Sequence, residues 1–282
     1  MFTLKVKNKY GEELELTHNA AYVVTGIDGI TSPEATINTT RNATSDGGVY
    51  NSAYVEVRQL IITIAINHPA EENRMRLYKY FKAKQPVRVS YKTRTRDVYI
   101  DGYVKSINAN PFENLVIAQA VIECPQPYLV GVDKSTTTFS HVTPTFTFPF
   151  AIEETGIPFS VLTFETNGVI VNAGDAETGA VINLHCVGAV NNPVVLDIDT
   201  GEFFGLNYGF STGDTITINT RTGQKSVMLS RGGTVTNLIG YLKPGSTWFV
   251  MRPGDNSFNL TAETGGDKIQ AMFEIENLYE GA

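Results

Sequence analysis

Val121-Ile122-Glu123-Cys124-Pro125-Gln126-Pro127-Tyr128 ends a strand-like run with two prolines, and the chain changes character on either side of it. Both prolines lack a backbone N–H and hold the preceding residue extended, so a pleated strand must leave its sheet here. Upstream the chain is mixed, with one helical stretch; downstream it is helix-poor and rich in Gly and Thr. The reading is of a mainly β protein in two domains, 1–132 and 133–282. The first is expected to combine strands with one α-helix, the second to be a β-sandwich or jelly roll.

The 282 residues suffice for two cores of ordinary size, and 42% hydrophobic with 18% charged residues describes a soluble globular composition. No apolar run approaches a membrane span, and Met1-Phe2-Thr3-Leu4-Lys5 starts no secretory signal. Cys124 and Cys186 form no metal spacing and suit a reduced compartment. Residues 1–133 carry 15 Lys and Arg against 14 Asp and Glu, whereas residues 134–282 carry 7 against 15. An acidic second half without a basic stripe argues against nucleic-acid or anionic-membrane binding. Lys82, Lys84, Arg88, Lys92, Arg94 and Arg96 cluster in the first half, as a solvated helix end and hairpin or as a surface for an acidic neighbour.

Phe2, Leu4 and Val6 alternate with Thr3, Lys5 and Lys7, and a turn at 8–12 returns the pattern at Leu14 and Leu16, which predicts a hairpin. A β-branched strand is expected over Val55–Ile66. The spacing predicts a helix over 69–84, with Pro69 and Glu71-Glu72 at its start, Met75, Tyr78 and Phe81 as its core stripe and Pro86 as its stop. Strands follow at Val87–Tyr91, Val98–Ile107 (its pleat broken at Asp101-Gly102) and Leu115–Ile122. Beyond Tyr128 short apolar runs recur at Phe146–Phe150, Val161–Phe164, Val181–Val187, Val194–Ile198, Asp214–Asn219, Ser226–Leu229, Trp248–Met251 and Lys268–Ile275. Turn-forming links such as Asn167-Gly168, Thr222-Gly223 and Pro253-Gly254-Asp255-Asn256 separate them.

Little of this supports catalysis. His18, His68, His141 and His185 stand far apart, and His185-Cys186 in one strand point to opposite faces, as a buried structural pair rather than a dyad. Gly223-Gln224-Lys225-Ser226 lacks the long glycine loop of a phosphate-binding motif and reads as a turn. Asp197/Asp199, Glu153-Glu154 and Glu274/Glu276 are same-strand acid pairs without a cleft, and a calcium site from Asp197, Asp199 or Asp214 has no loop signature. No cofactor and no enzyme is expected. Trp248, Tyr208, Tyr241 and Phe204 offer aromatic area for a sugar, with Trp248 better read as core and Tyr208 left open. The sequons at Asn38, Asn42 and Asn259 carry no meaning without a secretory route.

Ordered blocks carry a family resemblance. They run Asp46-Gly47-Gly48-Val49-Tyr50-Asn51, Arg58-Gln59-Leu60-Ile61-Ile62, Ile100-Asp101-Gly102-Tyr103-Val104, Pro111-Phe112-Glu113-Asn114 and Glu123-Cys124-Pro125-Gln126-Pro127-Tyr128. The second half adds Asn219-Thr220-Arg221-Thr222-Gly223, Leu242-Lys243-Pro244-Gly245-Ser246, Arg252-Pro253-Gly254-Asp255-Asn256 and Leu278-Tyr279-Glu280-Gly281. Together they resemble the distal tail proteins of long-tailed bacteriophages over essentially the whole chain. The resemblance implies a structural protein of the virion tail tip or baseplate, made in the bacterial host cytoplasm and part of a host adhesion device. It implies a first domain, a β-sandwich with one α-helix, that forms a homo-hexameric ring, with the tail-tube protein above and the tail-tip hub below. It implies a galectin-like outer second domain where receptor-binding proteins or side fibres attach.

Residues Thr36–Tyr54 are too long for an ordinary connection and too poor in Pro and Lys for a disordered tail. They are expected to form a hairpin or belt on the next subunit through Thr39, Arg41, Asp46, Gly47, Tyr50, Asn51 and Tyr54, against the plainer reading of a surface loop. The alternative function is a carbohydrate-binding protein that recognises host wall glycans with its second sandwich, through Tyr208 and Trp248.

Overall fold

The computed structural model describes residues 2–41, 46–112, 115–139, 141–144, 160–163 and 166–282, with side chains left undescribed at 141–144 and 160–163. Expected features at Asn42, Glu113-Asn114, Phe146–Phe150, Glu153-Glu154 and Phe164 lie outside the described residues. The chain divides into two compact units, Met1–Asp133 with Leu278–Ala282, and Lys134–Asn277. The last five residues therefore belong with the first unit. The protein is mainly β with one α-helix.

In the first unit Glu13–Glu15, Thr3–Asn8, Pro86–Lys92 and Asp97–Ala109 pair antiparallel in that order, and Val130 and Gly131 add to the Asp97–Ala109 strand. The long strand serves two layers. Through Asp97–Tyr103 it pairs with Pro86–Lys92, and through Tyr103–Ala109 with Val116–Cys124. A register shift between Val104 and Ser106 marks the bend between them. Val116–Cys124 pairs on with Arg58–Ile66, and that strand with Tyr22–Asp28. Alternate residues of both layers, among them Leu4, Val6, Leu60, Ile62, Val89, Ile100, Ala120 and Ile122, meet in one core, as half-buried sheets require.

The helix is shorter than its spacing suggests, Ala70–Tyr80, with Phe81 N–H closing it on Leu77 O. Its buried pair is Leu77 and Phe81; Met75 is 49% exposed, because two residues along a helix turn a side chain to the other flank. The expected long strand over Val55–Ile66 is two strands. Val49–Val55 ends where Glu56 N–H bonds Glu34 O, and Arg58–Ile66 starts anew in the sandwich. Asp101-Gly102 does not break its strand. A Cβ on Gly102 would lie 2.6 Å from Ile122 Cγ2 and 2.7 Å from Cys124 Sγ, so the glycine permits close packing rather than a turn.

The second unit is a two-layer antiparallel sandwich. One layer runs Ile269–Tyr279, Ala180–Cys186, Thr215–Asn219, Ser226–Arg231, Thr234–Asn237. The other runs Asn167–Asn172, Gly254–Thr264, Val190–Asp197, Phe203–Gly205, with Gly209–Phe210 also on Val190–Asp197. Ile182, Leu184, Ile216, Val195, Phe258 and Phe273 share its core, and Phe139 stacks on Phe273 at 4.8 Å. His141–Pro144 pairs with Ser160–Thr163.

Several local expectations are corrected here. Asn167-Gly168 lies in a strand, paired with Asn259 and Phe258, and a Cβ on Gly168 would strike the Phe139 ring at 2.1 Å. Trp248–Met251 is not a strand and makes one bridge, Met251 to Thr178; the strand lies beyond it at Gly254–Thr264. Buried Asn256 holds the intervening turn through Arg252 N–H, Arg252 O and Gly254 O. His185 is exposed and bonds Thr215 Oγ1 at 3.1 Å while Cys186 is buried, so the two are no buried pair.

Candidate assembly interface

Ala35–Thr40 and Val49–Val55 form a two-stranded ribbon that pairs with no other described strand. Neither strand contains a charged residue, and neither contains a buried one. Ile37 and Tyr50 are each 63% exposed, Val49 58% and Tyr54 54%. β-branched and aromatic residues on a pleated backbone account for the strands, but a lone hairpin is marginal in water. Side chains supplement the ladder: Asn51 Nδ2 donates to Thr40 Oγ1 at 2.6 Å, Asn38 Nδ2 to Ser52 Oγ at 3.1 Å, and Thr36 Oγ1 to the Glu56 carboxylate.

The register places Thr36 opposite Tyr54 and Thr39 opposite Tyr50, with a shift between Asn38 and Thr39 that leaves Asn51 as the extra residue. Arg41 follows the first strand, while Asp46 and Gly47 precede the second, Gly47 at φ +85°. All seven residues expected in the arm thus lie on this ribbon or at its tip. An exposed uncharged ribbon presents unpaired N–H and C=O groups on both outer edges, the feature that isolated proteins blunt with charge. Sequence reasoning missed the free edge of Tyr22–Asp28, which pairs on one side only among the described residues. A groove of about 520 Å³ beside it is lined by Phe2, Leu16, His18, Tyr22 and Val24.

The other candidates disperse. Trp248 is half-buried, edge-on to Phe204 at 5.1 Å, with Lys225 Nζ 5.8 Å from its ring centre. Tyr208 packs on Phe210 and, edge-on at 4.9 Å, on Tyr241. Its neighbour Arg231 forks onto buried Asp214, Nε to Oδ1 at 2.9 Å and Nη2 to Oδ2 at 2.5 Å. That hydrogen bond holds the Asp214 carboxyl below the usual carboxylate range, against the opposing effect of burial. Asp197 and Asp199 do not share a strand face: the strand ends at Asp197, whose buried carboxylate caps Asp199 N–H and Thr200 N–H, while Arg252 bridges both acids. Glu274 and Glu276 are paired by Lys134 and Arg221. Among the described residues no group of acids, histidines and cysteines is placed to hold a metal. Within the basic cluster, Arg88 forks onto Asp101, Lys92 pairs with Asp97 and Arg96 lies over Tyr279.

Residues 173–275 match the family described as siphovirus-type tail component, C-terminal domain, the SPP1 Dit family. The second unit is thus similar in sequence to a siphovirus-type tail component. The Dit protein (gp 19.1) of phage SPP1, described as a paradigm of the hub adsorption apparatus in phages that infect Gram-positive hosts, shares its fold at a TM-score of 0.68 and 15% identity, over 99% of each chain. A protein of the phage p2 baseplate in its activated conformation with calcium does so at 0.54 and 13% identity over the full length of both. A strontium-bound form of that baseplate gives 0.53 and 12%, again over both full lengths. No curated protein matches in sequence. The family match falls within the second sandwich, and the ribbon lies outside it.

Proposed function

We propose that this chain is a Dit-like tail component of a siphophage virion, that it forms a homo-hexameric ring connecting the tail tube to the tail-tip or baseplate hub, and that it has no catalytic role. The ribbon of Ala35–Thr40 and Val49–Val55 is the inter-subunit arm. The observation that carries this is a charge-free ribbon without a single buried residue, in a chain whose other described long strands are paired into sandwiches. Head-to-tail contacts between an arm and a distant surface close into a ring at the right rotation. The open edge at Tyr22–Asp28, with its apolar groove, is a suitable acceptor for an added strand. The first unit, which carries the ribbon, builds the ring; the galectin-like second unit offers attachment to receptor-binding proteins or side fibres. The hub and baseplate setting of the SPP1 and p2 proteins supports this assignment. The protein is made in the host cytoplasm and incorporated during tail assembly.

Negative-stain microscopy of the purified chain tests the reading, beside a variant in which a short Gly-Ser linker replaces residues 38–52. The full chain is expected to give rings of tail width and the variant monomers with unchanged circular dichroism. Intact rings after the deletion would overturn the assignment of the arm.

A further inference from the structure

Arg58 is the third residue beyond the ribbon and only 4% exposed. Its guanidinium reaches three carbonyls: Nη1 donates to Gly29 O and Thr31 O, each at 2.8 Å, and Nη2 to Glu280 O at 2.6 Å. Its Nε is buried without a hydrogen-bond partner. Gly29 is at φ +83°, and a Cβ there would stand 2.1 Å from Gln59 O, so glycine is required to present that carbonyl. The segment Leu278–Ala282 adds contacts of its own. Ala282 N–H bonds Ile30 O at 3.2 Å, and Ser32 Oγ donates to the Glu280 carboxylate at 3.3 Å. Gly281 lies flat on the strand's exit, where a Cβ would stand 3.1 Å from the Thr31 carbonyl carbon and 3.2 Å from Ser32 N.

Residues 29–32 lead into the ribbon, and Arg58 leads out of it. The planar fork of Arg58 ties the two to a segment 222 residues further along the chain. A guanidinium buried this deeply is costly unless its donors are satisfied, so losing the Glu280 carbonyl disturbs the remaining two bonds as well. We propose that Leu278–Ala282 is a latch on the root of the ribbon, with Arg58 as its positioning residue, which fixes the ribbon's stance and so controls assembly through it. This rests on the reading of the ribbon as the inter-subunit arm.

The test uses the full chain carrying Gly281→Val, which spares Arg58 and the core, and a second form ending at Asn277. Hydrogen exchange is followed in peptides covering 29–34 and 54–57, with 60–66 and 116–124 as internal controls. Exchange at 29–34 and 54–57 is expected to rise at least tenfold in both forms while the controls hold. Rings, scored by mass photometry, are expected to need at least tenfold more protein. Unchanged exchange at 29–34 in both forms overturns the latch. Faster exchange with assembly at the parent concentration overturns its control of assembly. A parent chain that never forms rings overturns the arm, and exchange then still decides the latch.

Discussion

Gly102 and Gly168 sit inside strands because a neighbouring side chain occupies the space a Cβ would need. Gly102→Ala is expected to destabilise the first unit by about 1–3 kcal/mol through overpacking against Ile122 and Cys124, measured as a lower urea midpoint at constant slope. Asp214 acts through charge. Its folded carboxyl is held below its ordinary value by Arg231, so its contribution is complete above the unfolded value of about 3.9 and lost as pH falls through the folded one. Asp214→Ala should therefore cost the second unit about 2 kcal/mol at pH 7 and progressively less below about pH 4, read by denaturation across pH. Burial pushes the Cys124 thiol up to about 12 and the Cys186 thiol up to about 11. Neither is expected to react with a disulfide reagent at pH 8 until the chain unfolds. A raised thiol pKa stabilises fully below the unfolded value of about 8.5 and less as pH rises past it.

At the scale of elements, the helix shows how far periodicity reaches. Its acidic first turn, basic last turn and approximate span follow from sequence, yet Leu77, not Met75, faces the core. Leu77→Ala should cost about 2–5 kcal/mol in urea unfolding, and Met75→Ala less than about 0.5 kcal/mol. The ribbon makes the opposite prediction. Tyr50→Ser with Tyr54→Ser is expected to shift monomer stability by less than about 0.5 kcal/mol per substitution while abolishing rings in microscopy, because those rings of carbon touch solvent in the monomer. Hairpins were legible for a similar reason. The turn at Gly223 (φ +77°) joins the antiparallel partners Thr215–Asn219 and Ser226–Arg231, and its residues are adjacent in the chain.

For the whole molecule, each unit holds its own buried core, and residues 134–277 expressed alone are expected to unfold cooperatively by circular dichroism. Leu278–Ala282 belongs with the first unit. By itself the sequence determined a mainly β chain, the strand end at Cys124 before Pro125 and the short-range hairpins, because period-two patterning and turn chemistry act between near neighbours. Only the tertiary structure decided that the ribbon's strands bury nothing, that Gly102 and Gly168 are packing residues rather than breaks, and that Glu280 returns to Arg58. Those facts depend on contacts between residues far apart in the chain, which no local pattern records.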